Sequence, residues 1–342
     1  MQTIREIGSR LEPFIDDWLI DRMDGVSLRL HQPVPREVAF RFDKPWEGTS
    51  SIFIRVMKDG DVYRNWYRAG ADSDQAACYA ESPDGIHWER KALGMIEYDG
   101  STNNNILIRD DGITNLAVFR DDNPAAPDEE RYKAIAKGAK IEGRATIRGL
   151  TSPDGFRWKV IEVDPILIAP DDGWPMFDST NVAFWDEVQG QYVAYMRGWF
   201  PSEGRVSSTH RGGVRSIRRS VSHDFRAWST PEFIDMGDSD PEHLYTNAAT
   251  PYFRAPHIYL MFPRRFVVGR RLRDDWAEEG LSDAVFMSSR DGIHWDRRFM
   301  EPLIPTGRDI DDWTDRSLTP GVGLLPTAPD EMSIYYKEHN RL

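Results

Sequence analysis

The 342-residue chain has a formal net charge of −13, 40% hydrophobic residues and one cysteine, Cys78. The acidity argues against a nucleic-acid partner, whose phosphates demand a basic face, and a lone cysteine excludes an internal disulfide framework. No stretch approaches the roughly 20 apolar residues of a membrane span, and residues 1–10 lack a signal-peptide core, so a cytoplasmic protein without a membrane partner is expected.

Along the chain, residues 14–20 read as a strand, and Arg22 to Leu28 as a decayed copy of a motif that recurs downstream. That motif is Ser-x-Asp-Gly-x-x-Trp. It stands at Ser82 to Trp88 and Ser152 to Trp158, loosely at Ser222 to Trp228 with Phe225 in place of glycine, and again at Ser289 to Trp295. The tryptophans lie 70, 70 and 67 residues apart. A constant period means one structural unit repeated. Asp-Gly predicts a tight hairpin turn, because glycine accepts positive φ and Asp bonds its own backbone.

Strand-like runs precede each hairpin. They fall at 51–56, 62–67 and 76–80 in the first unit, and at 115–119, 131–136 and 145–150 in the second. The third unit offers 181–185 and 191–196; the fourth offers 249–253, 257–262 and 284–287. Four short strands per repeat, with no helical periodicity, predict an all-β chain made of propeller blades. Residues 318–325 and 332–336 look like the first two strands of a fifth blade. The N-terminal strands, within about 13–32, would complete it with 315–340, closing a single five-bladed domain of four-stranded antiparallel blades and removing sheet edges.

Polar residues cluster ahead of each predicted inner strand. They are Trp46 and Glu47, then Asn115, then Asp178 and Asn181, then Glu242, His243, Tyr245 and Asn247, and finally Asp315 and Arg316. Propeller geometry gathers such loops at one end. Paired carboxylates there suit glycosidic-bond cleavage, one protonated to donate to the leaving oxygen and one ionised. Asp178 is the first candidate, with Glu47 and Glu242 competing for the second role and Asp315 behind them. Trp46, Asn115, Asn181, His243, Tyr245, Asn247, Arg264, Asp315, Arg316 and Glu338 make up the candidate substrate-binding set. The arginines after the second strands of units three and four, Arg197 and Arg264 among them, could clamp an anion or pair with surface carboxylates.

The repeated hairpins and their spacing resemble the five-bladed β-propeller glycoside hydrolases of the family 32, 43 and 68 type. The resemblance spans nearly the whole chain, and residues 14–20 look like uncharacterised bacterial members. It implies a hydrolase acting on a carbohydrate, exo-acting on a terminal sugar such as a furanoside. Those families place three carboxylates before the first three inner strands. Here Glu47 stands where they use Asp, Asn115 where they use a carboxylate, and Asp178 where they use Glu. No cofactor is expected, although some relatives hold a calcium ion in the channel. A glycoside phosphorylase and a non-catalytic carbohydrate-binding propeller are the alternatives.

Overall fold

A computed structural model of the chain describes residues 4–71, 74–202, 212–270, 274–275, 280–313 and 318–339. Among them there is no α-helix; short 3₁₀ turns and β-strands carry the fold. The first unit holds β1 (Ile52–Asp59), β2 (Val62–Ala71), β3 (Asp74–Ser82) and β4 (Ile106–Ile108). The second holds β5 (Thr114–Arg120), β6 (Tyr132–Ile141), β7 (Arg144–Ser152) and β8 (Lys159–Val160), with β9 (Leu167–Ile168) also pairing β7. The third holds β10 (Val182–Asp186), β11 (Gln191–Pro201), β12 (Gly213–Ser222) and β13 (Glu232–Phe233). In each the strands pair in sequence order, antiparallel, as hairpin-linked alternating segments do.

The fourth unit divides in two. After β14 (His243–Leu244) come β15 (Thr250–Tyr252), β16 (Ala255–Met261), β17 (Arg264–Val267), β18 (Leu281–Ala284), β19 (Met287–Ser289) and β20 (Trp295–Asp296). One sheet is β15-β16-β19-β20, and β14-β17-β18 forms a second, smaller one. The run expected as one strand at 284–287 is therefore broken between β18 and β19. Finally β21 (Leu318–Ala328) and β22 (Glu331–Glu338) pair with each other, and β21 joins β1 through a parallel bridge, Arg55 to Val322.

The N-terminal expectation fails. Residues 4–44 contain no strand, so nothing from that end extends the β21–β22 hairpin. The segment docks by side chains instead. Arg290 donates to Glu12 (2.8 Å) and Asp16 (2.6 Å) and lies 4.3 Å over the Trp18 ring, while Arg298 pairs with Asp17. Prolines 13, 33 and 35 lack the amide hydrogens a ladder needs.

The recurring motif is a stapled loop rather than a two-residue turn; in the first unit, pairing resumes only between Glu81 and Glu89. Ser152 Oγ accepts the amide of Gly155 (2.9 Å), and Asp154 Oδ1 accepts those of Phe156 and Arg157 (both 2.8 Å). Trp158 Nε1 then donates to the Gly155 carbonyl (3.1 Å). The same bonds recur around Asp84 and Asp291, and Phe225 takes the glycine position at φ 65°.

Each loop also reaches the preceding unit. Trp66 of β2 donates to Gly155 O (3.0 Å), Tyr195 of β11 to Gly292 O (2.8 Å), and Tyr335 of β22 to Gly85 O (2.8 Å). A second clasp runs the other way. Tyr132 donates to Asp59, Tyr192 to Asp121 (2.7 Å), and Tyr259 to Asp186, always from one unit to the one before. At the last seam Tyr63 donates to the Pro326 carbonyl (3.1 Å), tying the first unit to the C-terminal hairpin. The apolar clusters follow the same plan: Trp66 and Tyr79 pack with Val118 and Tyr132, while Phe119 and Ile135 pack with Tyr192 and Met196.

Candidate functional site

Asp178 sits in the loop before β10, and its neighbours fix that loop unusually. Phe177 and Ser179 on either side both adopt left-handed backbone, at φ 62° and 70°, as does Asn115 at 55°. Such conformations cost about 1–3 kcal/mol each for non-glycine residues and concentrate at functional sites. Buried Asn181 pins the loop to β11: its Nδ2 donates to Phe177 O (3.1 Å) and its Oδ1 accepts the Arg197 amide (3.2 Å). Asn115 Nδ2 holds the Ser179 carbonyl (3.0 Å).

Half of the Asp178 side chain is open to solvent although protein surrounds it on most sides. Arg197 Nη2 donates to its Oδ2 (3.2 Å), and Lys137 Nζ lies 3.8 Å from its Oδ1. Burial opposes the negative charge, but Arg197, Lys137, the Ser179 amide and Arg215 outweigh it and hold the carboxyl below the ordinary aspartate value. Asp178 is thus a carboxylate suited to act as base or nucleophile, not as proton donor.

Around it runs a circle of residues from every unit. Arg68 of β2 donates to Asn115 Oδ1 (3.5 Å) and Ser50 O (3.0 Å), and covers the Phe53 ring at 4.9 Å. Arg197 and Arg264 lie 4.1 Å and 4.3 Å from the Tyr245 ring centre, and Arg215 lies 5.0 Å from it and 4.7 Å from Trp199. Arg264 also donates to Ser282 Oγ (2.9 Å) and Thr319 Oγ1 (3.4 Å), reaching β21. Burial, with the charges of Arg68 and Arg264, pushes Lys337 of β22 down to about 8, and burial beside Arg197 brings Arg215 down to about 10.

The other sequence candidates divide. Asn115, Asn181, Tyr245 and Arg264 join Asp178 in this circle. Glu47 is fully buried in a network of the first unit: Tyr67 Oη (2.6 Å) and Arg90 Nε (2.8 Å) donate to Oε1, and Arg90 Nη2 and the Lys44 amide (both 2.9 Å) to Oε2. Trp46 Nε1 donates to Asn105 Oδ1 (2.7 Å) in the same region. Glu242 pairs with Arg265 and with Arg297 (3.0 Å), and Arg265 also grips Asp283. Buried Asn247 bonds the Tyr195 carbonyl, and His243 Nδ1 accepts the Arg215 amide. Glu338 lies beside Asp312 and His339, one ligand atom of each falling within 4.8 Å of the others. Asp315 and Arg316 lie outside the described residues. A separate concavity of about 740 Å³, lined by Asp16, Asp235 and Arg290, shares no residue with the circle, and its Arg290 is already paired with Glu12 and Asp16.

The basic members carried a sequence signal. Tyr63 and Arg68, Tyr132 and Lys137, Tyr192 and Arg197, and Tyr259 and Arg264 are each five residues apart, and Lys337 follows Met332 by the same interval. The tyrosines are the clasp residues, and the basic side chain follows on the second strand in the first three units and at the start of β17 in the fourth.

No family model matches the chain. Two uncharacterised proteins of Mycobacterium tuberculosis, from strains CDC 1551 / Oshkosh and ATCC 25618 / H37Rv, are each 28% identical over 146 residues. That match covers 40% of this chain and 39% of each relative. Among solved structures, the chain is similar to a putative glycosidase from Bacteroides thetaiotaomicron VPI-5482, with TM-score 0.56, 14% identity, and 86% and 85% of the two chains covered. It is also similar to an N-acetylgalactosamine deacetylase from F. plautii in complex with blood group B trisaccharide (TM-score 0.57, 12% identity, 90% and 85% covered). A third is a structure from work on the GH130 family of mannoside phosphorylases, which contains glycoside hydrolases targeting β-1,2 mannosidic linkages in Candida mannan (TM-score 0.53, 13% identity, 86% and 83% covered). At these identities the likeness is one of fold alone.

Proposed function

We propose that the protein is a glycoside hydrolase on a five-bladed propeller, its sheets forming four blades and the β21–β22 hairpin the fifth. The substrate is a carbohydrate, cut at a terminal sugar, with furanosides among those to be tried. One observation carries the reading: an ionised carboxylate, Asp178, is mounted on a strained, pinned loop at the point where all units converge. An ionised carboxylate open to solvent is what water activation or anomeric attack requires. The similarity to glycosidases supports the class; the deacetylase on the same fold shows why the activity rests on the site rather than on the scaffold.

Glu47 and Glu242 are less suited to the second role, since both are committed to arginines. Asp315 stays a further candidate for the second carboxylate, and the reaction as proposed uses side chains alone. The test is a screen of nitrophenyl pyranosides and furanosides with oligosaccharide digests, followed by Asp178→Asn. Loss of at least about 1,000-fold in kcat/KM with Tm kept within a few degrees supports the assignment. Full activity in the variant removes Asp178 from the chemistry, and sugar binding without any product makes the protein a carbohydrate-binding propeller.

A further inference from the structure

We propose that the protein binds a small monovalent anion, of the halide class, at the centre of its ring, with Arg55 as the cation that holds it. The proposal goes beyond the glycoside-cleaving reading and does not depend on it.

Arg55 stands on β1, where its amide donates to Asn65 Oδ1 (3.3 Å) and its backbone bridges Val322 of β21. Its side chain leaves that sheet. Nη2 donates to the Ala183 carbonyl on β10 (3.2 Å), so the first unit touches the third without passing through the second. A bond between units that are not consecutive runs through the middle of the ring. β5, β10 and β15 end their sheets, so each has one edge of main-chain amides and carbonyls without a strand neighbour. The β10 edge is the one Arg55 meets.

Elsewhere the chain answers its buried cations with carboxylates: Lys133 with Asp121 (2.6 Å), Arg197 with Asp178 (3.2 Å) and Arg297 with Glu242 (2.9 Å). Arg55 has no such answer among the described residues. It is 6% exposed, and neither its Nε nor its Nη1 has a hydrogen-bond partner there. Burial is the one influence on its proton affinity, pulling it down to about 9, and no carboxylate contributes. The guanidinium still carries its proton at neutral pH. A charge enclosed without a counter-charge is costly, and so are donors left without acceptors. One small anion meets both needs, accepting from Nε and Nη1 and cancelling a single positive charge. Sheet-edge amides add donors without adding charge. A water molecule would accept the same hydrogens and leave the charge standing, and a place this enclosed admits no sugar or phosphate ester.

The experiment uses the full chain with chloride as the probe. Melting is followed in sodium chloride and in sodium gluconate at equal ionic strength. In parallel, the chain dialysed into gluconate is unfolded and the chloride it frees is measured by ion chromatography. A saturable rise in Tm of about 5 °C that only chloride gives, or about one chloride freed per chain, supports the anion, provided Arg55→Met abolishes it. The same response in Arg55→Met places the ion elsewhere and overturns the proposal. Should that variant not fold, crystals of the unaltered chain soaked in sodium bromide decide. An anomalous peak within hydrogen-bond distance of the Arg55 guanidinium supports the site, and bromide absent from it overturns the site. A Tm indifferent to chloride together with no chloride freed overturns it too and leaves water as the acceptor. None of these outcomes turns on whether any glycoside is cleaved.

Discussion

At Asp178 the decisive fact is that the cations nearby outweigh burial, so the carboxyl titrates below its ordinary value of about 3.9. If Asp178 acts as the carboxylate, kcat/KM stays flat down to that value and falls only beneath it. Lys137→Met removes one of the two cations that contact it and should move the acid limb upward; a pH–rate profile for each protein reads this directly. Glu47 poses the opposite case. Its four accepted hydrogen bonds serve the fold, and Glu47→Gln leaves Arg90 facing a neutral amide. That substitution should lower unfolding free energy by about 3 kcal/mol in urea titration while the folded fraction keeps its kcat. A collapse of kcat with unchanged stability would return Glu47 to the chemistry.

Within the elements, the stapled loop concentrates its bonds on one side chain. Asp154→Ala deletes the acceptor of two amides and should cost about 1–2 kcal/mol, whereas Asp154→Asn keeps an oxygen in place and should cost less than half of that in thermal melts. Burial resists the charge on Asp154 and Asp291, but backbone amides and, at Asp291, His294 prevail and lower both. Carboxyls depressed in the folded state stabilise it above the unfolded value of about 3.9, and that contribution is lost as pH falls through the folded values. The acid unfolding midpoint should accordingly lie below pH 4, and Asp154→Asn should raise the protein's relative tolerance to acid.

The loop was legible in the sequence because Ser, Asp, Gly and Trp satisfy one another within seven residues. Most strands were legible for the same local reason. The Tyr–Asp clasps join residues about 70 positions apart and leave no local trace, and neither does the stacking of Arg197 and Arg264 on Tyr245. The N-terminal run misled because residues 14–20 have a strand-like composition, while Glu12, Asp16 and Asp17 are used by arginines of the fourth unit rather than by a ladder. Glu47 and Asp178 looked alike from their positions before inner strands; only burial and the reach of Arg90 separate them.

Across the molecule, each unit is fastened to its neighbour, and the first meets the last through Tyr63 and Tyr335. Tyr63→Phe combined with Tyr335→Phe cuts these two bonds at that seam, each worth about 1 kcal/mol. Amide exchange should quicken first in β21, β22 and β1 and leave β10 to β12 protected; uniform loss of protection would mean the seam has no special weakness. The enclosed Arg55 cation has a further consequence for a chain whose net charge is −13. An anion approaching from far away meets a repelling envelope and feels the attraction only within about 10 Å at ordinary ionic strength. Added inert salt hastens arrival by screening the envelope but barely loosens the grip, since an enclosed pair is screened little. Capture by such a molecule would strengthen with salinity and level off instead of declining steadily from pure water.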